Sequence, residues 1–283
     1  METQNNRIPR ALIVQDLSCL GRCSLTVALP ILSACGHETA VLPSAVLSTH
    51  TGRFQGYTFR DLTEDIPAIR RHWESEGLTF AAVYTGYLSS ARQIACVRDV
   101  IRSRCPEGLR IVDPAMADDG RLYSGFGPDF VSAMKTLCAE ADYILPNVTE
   151  AALLAGLPYR EHPDRAYAEA LAAGAAASDR QTVILTGVSF DADTTGVLVR
   201  QGGQSRYYSH EKLPSGGYGT GDVFASAFTG ALLRGRTAEA AVQLAADYTF
   251  RCVARTAGDP AHWYGLKFEP ELPWLIRRLE ETE

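Results

Sequence analysis

Residues 219–222 read Gly-Thr-Gly-Asp, where a glycine-rich stretch meets the apolar run Val223 to Leu233. Gly219 and Gly221 let the main chain fold tightly and expose its amides. A helix starting there adds unpaired N–H groups and the positive end of its dipole. Together they suit an anion, above all a phosphoryl group. Asp222 beside that anion can accept the proton of a hydroxyl as its oxygen attacks. The same four residues also describe an ordinary helix start, with an acid in the first turn facing the dipole. The dipole predicts a lowered pKa for Asp222 and hence a weaker base. Phosphoryl transfer tolerates that, because its loose transition state needs little early deprotonation.

Strand-like and helix-like stretches alternate along the chain and must position this turn. Strands are expected at 11–15, 38–43, 80–86, 109–114, 142–147 and 182–187. Helices are expected at 24–36, 59–77 with Asp61 as cap, 90–104, 149–156 and 166–178. A hairpin over 195–210 turns at Gly202-Gly203, and two helices follow, one opening at Asp222. Such alternation predicts a three-layer α/β/α sandwich with a largely parallel central sheet. No linker composition interrupts it, so residues 1–283 read as one domain. In such sheets ligands gather beyond the carboxyl ends of the strands. The residues there are Asp16, Thr51-Gly52, Gly86-Tyr87, Asp113, Asn147 with Glu150, Thr186-Gly187 and Gly219–Asp222. Carboxylates, hydroxyls and glycines in those places suit phosphate and metal chemistry.

Several classes are excluded. There is no G-x-x-x-x-G-K-[ST] loop, no G-x-G-x-x-G after the first strand and no G-x-S-x-G, which argues against P-loop enzymes, dinucleotide dehydrogenases and α/β-hydrolases. A net charge of −6 without a long basic run argues against nucleic acid as partner. No apolar run is long enough to span a membrane, and the polar start METQNNRIPR lacks the apolar core of a signal peptide. The expected location is the cytoplasm. Seven scattered cysteines do not form a disulfide framework, and Cys19 with Cys23 lacks the second pair a zinc site needs.

In order along the chain, DLSCLGRCSLTVALPILSACG, AVLSTHTG, YTGYLSS, VDPAM, MADDGRLYS, PNVTE, LTGVSF and GTGDVFAS resemble the ribokinase-like kinases. More closely they resemble the bacterial pyridoxamine/pyridoxal (vitamin B6) kinases. The likeness covers about residues 10 to 256, and the ordered set is far more specific than any one piece. It implies transfer of phosphate from ATP, with Mg²⁺, to the 5'-hydroxymethyl group of pyridoxamine, pyridoxal or pyridoxine. It implies Asp222 as catalytic base and Gly219, Thr220 and Gly221 as the anion hole. Asp113, Asn147, Glu150, Thr186 and Gly187 would serve the nucleotide, with Asp113 and Glu150 toward Mg²⁺, directly or through water. Asp16, Thr51, Gly52 and Tyr87 would face the substrate ring. A homodimer is typical of such enzymes, and the need for a monovalent cation stays open.

Each of these residues also has a plainer reading. Asp113 before Pro114 can start a turn, Asn147 and Glu150 fit a capping box, and Tyr87 and His50 suit packing and loop hydrogen bonding. Two departures stand out. DPAMAD replaces the usual DPVMGD, with Ala115 and Ala117, which is expected to reshape the turn beside the nucleotide. Asp16 stands where many pyridoxal kinases carry Ser, and its carboxylate is expected to meet a protonated pyridine nitrogen or a nearby polar group. Segments 118–127 and 214–219 are expected to close over the site and exclude water. A hydroxymethylpyrimidine kinase and a non-catalytic B6- or nucleotide-binding protein are the rival readings.

Overall fold

The computed structural model describes residues 9–213 and 217–281. In chain order the elements are β1 (Arg10–Leu20), α1 (Leu25–Ala34), β2 (Glu38–Thr49), β3 (Phe59–Asp61), α2 (Ile66–Ser75), β4 (Ala82–Thr85) and α3 (Ala91–Arg104). Then come β5 (Leu109–Val112), β6 (Ala117–Asp118), β7 (Arg121–Leu122), α4 (Pro128–Cys138), β8 (Tyr143–Ile144), α5 (Val148–Ala155) and α6 (Arg165–Ala175). The chain ends with β9 (Thr182–Val188), β10 (Thr194–Gln201), β11 (Gln204–Glu211), α7 (Thr220–Leu233), α8 (Ala238–Thr256) and α9 (Leu272–Glu280).

Nine strands form one sheet in the order β11-β10-β9-β8-β5-β4-β1-β2-β3. Its six middle strands, β9 to β2, run parallel, and β3, β10 and β11 join antiparallel at the edges. Buried apolar residues divide into two clusters, one per face. One face is covered by α2 to α6, with Val14, Val83 and Val112 pointing into it. The other is covered by α1, α7, α8 and α9, with Ile13, Tyr84 and Ile111 beneath them. This is the expected three-layer α/β/α arrangement. The strand order reverses between β1 and β4, which marks the crevice where ligands collect.

The expected helix over 59–77 is corrected. Phe59–Asp61 is an edge strand paired with β2, and the helix starts only after Asp65, with Pro67 in its first turn. Asp61 instead accepts from the Thr63 amide at 2.7 Å and from the Ser89 hydroxyl, which fixes the loop between strand and helix. Helices α4 and α9 and the small β6–β7 hairpin had no sequence expectation. Gly202 and Gly203 turn the β10–β11 hairpin with φ of 55° and 80°, as Gly-Gly permits. All seven cysteines are free thiols, and Cys35, Cys105, Cys138 and Cys252 are buried. Among the described residues no helix is long and apolar enough to cross a membrane.

Candidate active site

The site lies along the carboxyl ends of the parallel strands, and α7 aims its first turn at it. Gly219 is the N-cap of α7 with φ of 80°. A side chain there would collide with the Arg22 carbonyl, so both backbone shape and space call for glycine. Thr220 ties the turn down by donating to the Gly217 carbonyl at 2.6 Å. Gly221 is exposed, and a Cβ on it would stand 4.0 Å from Asp113 Oδ2. The turn therefore lies directly beside the Asp113 carboxylate.

Asp222 is half-buried. Its Oδ2 accepts the Ser24 amide at 2.9 Å, across 198 positions of sequence. Ser24 holds φ of 53° and ψ of −130°, a conformation rarely open to a residue with a side chain. Its hydroxyl does not cap α1 but bonds toward Asp16, while its amide points at Asp222. The expected lowering of the Asp222 pKa is overturned. Burial raises it to about 7, the Asp113 and Asp16 charges add to the rise, and the Ser24 amide only partly opposes them. Desolvation and two like charges all disfavour the ionised carboxylate.

Asp113 follows β5. Its Oδ1 accepts the Ala115 amide at 3.0 Å, so the turn-starting role is real for one oxygen. Burial and the Glu150 charge push its pKa up. Glu150 is 2% exposed and belongs to a complete capping box with Asn147. Its Oε2 accepts the Asn147 amide at 2.9 Å, and its Oε1 accepts the Met116 and Ala117 amides at 2.9 and 3.4 Å. Asn147 accepts the Glu150 amide at 2.9 Å and donates to the Ala117 carbonyl at 2.7 Å. These two residues clamp the turn after Asp113. Within it Ala115 takes φ of 37°, while Ala117, at the position of the family's glycine, is a buried strand residue. Thr186 bridges to Asn147, and its amide donates to the Pro146 carbonyl at 2.9 Å. Gly187 follows with φ of 70°.

On the other side of Asp222, Asp16 is 6% exposed and accepts the Ser18 hydroxyl at 2.8 Å. Burial raises its pKa. Tyr87 is close enough for the Asp16 charge to raise its own pKa, after burial. Its ring stacks on Phe126 at 5.8 Å. Gly52 lies flat under the Tyr218 ring, where a side chain would collide, and its amide donates to His50 Nδ1 at 3.0 Å. His50 Nε2 then pairs with the Tyr264 carbonyl at 2.9 Å, which ties the 50–52 loop to the chain after α8. Thr51 is exposed at the same bend.

Sequence reasoning missed Ser24, Tyr218 and Tyr123, whereas the loop hydrogen bonding expected of His50 is present. Tyr123 stands where the Glu150, Asp118, Asp113 and Asp222 charges all act on its phenol. Tyr218 was legible as the one aromatic in GGYGTGD. Ser24 was not, since its contribution is a main-chain group. Segment 118–127 holds all of the β6–β7 hairpin except Ala117, together with Tyr123, whereas residues 214–216 of the second expected closing segment lie outside the described residues.

Among the described residues no three His, Cys, Asp or Glu side chains are arranged to hold a metal by themselves. Among the described residues Asp113 Oδ2 accepts no hydrogen bond, and it lies beside the glycine turn, whereas both Glu150 oxygens already accept amides. That donor set fits a hard divalent ion taking most of its ligands from phosphates and water, with Asp113 nearest and Glu150 acting at one remove.

The phosphomethylpyrimidine kinase family profile matches residues 58–265. A pyridoxine/pyridoxal/pyridoxamine kinase of Bordetella avium is 30% identical over 263 residues, covering 86% of this chain and 84% of its own. The crystal structure of pyridoxal kinase from Lactobacillus plantarum superposes with a TM-score of 0.89 at 32% identity, over 97% of this chain and 99% of the other. A candidate phosphomethylpyrimidine kinase of Bacteroides thetaiotaomicron, in a crystal form with pyridoxal, gives 0.87 at 35% identity, over 98% and 97%. With most of its length matched and a carboxylate-lined cleft at the switch point of its sheet, the chain belongs to the phosphomethylpyrimidine kinase family, within the ribokinase-like superfamily.

Proposed function

We propose that the protein is an ATP-dependent kinase that phosphorylates the 5'-hydroxymethyl group of a B6 vitamer: pyridoxamine, pyridoxal or pyridoxine. The observation that carries this is the position of Asp222. It stands between a glycine turn beside Asp113 and the side chains of Asp16 and Tyr87, which would bound the vitamer pocket. A hydroxyl presented from that pocket meets a carboxylate whose pKa of about 7 suits proton acceptance near neutrality. The amides at Gly219, Thr220 and Gly221 stabilise charge on the transferred group. Asp113, Asn147, Glu150, Thr186 and Gly187 shape the nucleotide side. Asp16, Thr51, Gly52 and Tyr87 shape the ring side.

Mg²⁺, when bound, neutralises phosphate charge so that the attacking oxygen can approach. Asp113 would hold it, with Glu150 fixing the turn that orients Asp113. The B6 kinase names of the relatives and their cover of nearly the whole chain support the vitamer as substrate. One domain, a cytoplasmic location and a homodimer belong to the same reading.

The family description favours one second reading, a hydroxymethylpyrimidine kinase. ATP-dependent phosphorylation of the three vitamers and of hydroxymethylpyrimidine separates the two. Turnover of a vitamer is expected. Turnover of the pyrimidine alone would replace the proposal, and binding without turnover would make the protein a non-catalytic binder.

A further inference from the structure

On the face of the sheet beneath α7, the side chains at Ile13, Tyr84 and Ile111 stand in one row across β1, β4 and β5. Side chains alternate along a strand, so the next row on that face is Gln15, Gly86 and Asp113. Gln15 is fully buried, and its amide occupies the space that a side chain on Gly86 would need. Tyr84 and Ser226 are also fully buried. Ser226 lies one helical turn after Asp222, and its hydroxyl donates to the Asp222 carbonyl at 2.5 Å. The polar side chains beside the Tyr84 hydroxyl are Gln15 and Ser226, and the charges acting on it are those of Asp222 and Asp113.

By strict geometry neither end of the Gln15 amide nor the Tyr84 hydroxyl is satisfied among the described residues, yet Gln15 and Ser226 both lie within hydrogen-bonding reach of that hydroxyl. Packing alone does not explain them. Phe would fill the Tyr84 volume and Met or Leu that of Gln15 without burying an unpaired polar atom. Buried polar groups with unspent capacity gather at working sites. Burial, reinforced by the two nearby carboxylates, keeps the phenol protonated and therefore a donor.

We propose that Gln15, Tyr84 and Ser226 form a polar strut that sets the height of the first turn of α7 over the sheet, so that Asp222 and the glycine amides stay in register with the reacting groups. Its direction follows from the donors present. Ser226 spends its proton on the Asp222 carbonyl and has lone pairs free for the Tyr84 hydroxyl. The Tyr84 oxygen can in turn accept from Gln15 Nε2. All three are positioning residues, and the inference rests on the kinase reading above.

Tyr84→Phe removes one buried oxygen and preserves the ring. The expected result is a kcat about tenfold lower, with KM for ATP and for the vitamer within about twofold and an unchanged or higher Tm. Ser226→Ala should behave alike. The double variant should be no worse than the poorer single one, because both break the same chain of bonds. Hydrogen exchange across residues 217–226, measured on the protein without substrates, should quicken in Tyr84→Phe. A kcat within about twofold of wild type, a parallel fall in kcat and Tm, or fully additive losses would each overturn the strut. Unchanged exchange would overturn it too. If the wild-type protein phosphorylates no candidate substrate, the kinase reading fails instead, and the exchange measurement still decides the strut.

Discussion

Replacing Asp222 by Asn should make the protein more stable and nearly inactive, and the two effects share one cause. The carboxyl is raised from its ordinary 3.8 to about 7, chiefly by burial. At about 1.36 kcal/mol per pKa unit, the full displacement corresponds to roughly 4 kcal/mol of unfavourable ionisation above pH 7. Asp222 keeps a water-facing edge, which screens it, so about 2 kcal/mol is the reasonable share. The folded protein binds this proton more tightly than the unfolded chain does. The group's favourable contribution is therefore complete below pH 3.8 and is lost as pH rises through about 7. Asn does not titrate, and its Oδ1 can still accept the Ser24 amide. Thermal unfolding without nucleotide and with EDTA should show Asp222→Asn melting about 4–8 °C above wild type at pH 8. The gap should shrink to less than half at pH 5. In the same preparations kcat should fall by about 10²–10⁴. A variant that melts at or below wild type at pH 8, or a gap independent of pH, would refute the desolvated carboxylate from which the argument starts.

Three further outcomes follow from the same geometry. The pH profile of kcat/KM with pyridoxine should lose about tenfold per unit below about pH 7, because protonated Asp222 cannot accept the hydroxyl proton; a flat profile between pH 5 and 7 would remove Asp222 as base. Gly219→Ala meets both a left-handed φ and the Arg22 carbonyl. It should cost over about 2 kcal/mol in denaturant melts, against about 1 for the control Gly235→Ala, where φ is also positive but the space is open. Asp16→Ser should raise KM for B6 vitamers and largely spare KM for ATP in initial-rate assays; an unchanged vitamer KM would detach Asp16 from the ring.

The layered fold was legible because alternation of apolar runs and amphipathic stretches is a local property of the chain. The reading failed at 59–77, where edge pairing of Phe59–Asp61 with β2 overrides a helical-looking run. Strand ends were legible as site positions because a parallel sheet delivers all of them to one edge. Asp222, Asp113, Asn147, Glu150 and Asp16 were expected at that edge, and the structure brings Asp113 and Asp16 close enough for their charges to act on Asp222. The capping box of Asn147 and Glu150 was also foreseen, since it is written in four consecutive residues.

The sequence by itself determined which residues stand at the strand ends and that a glycine turn starts the helix bearing Asp222. Those are matters of spacing and local conformation. Only the tertiary structure decided the state of that acid. The Ser24 amide, 198 positions away, the like charges of Asp113 and Asp16, and the loss of water around all three are brought to Asp222 by packing. A helix dipole can be read from neighbours in the chain, whereas desolvation depends on everything folded around a group.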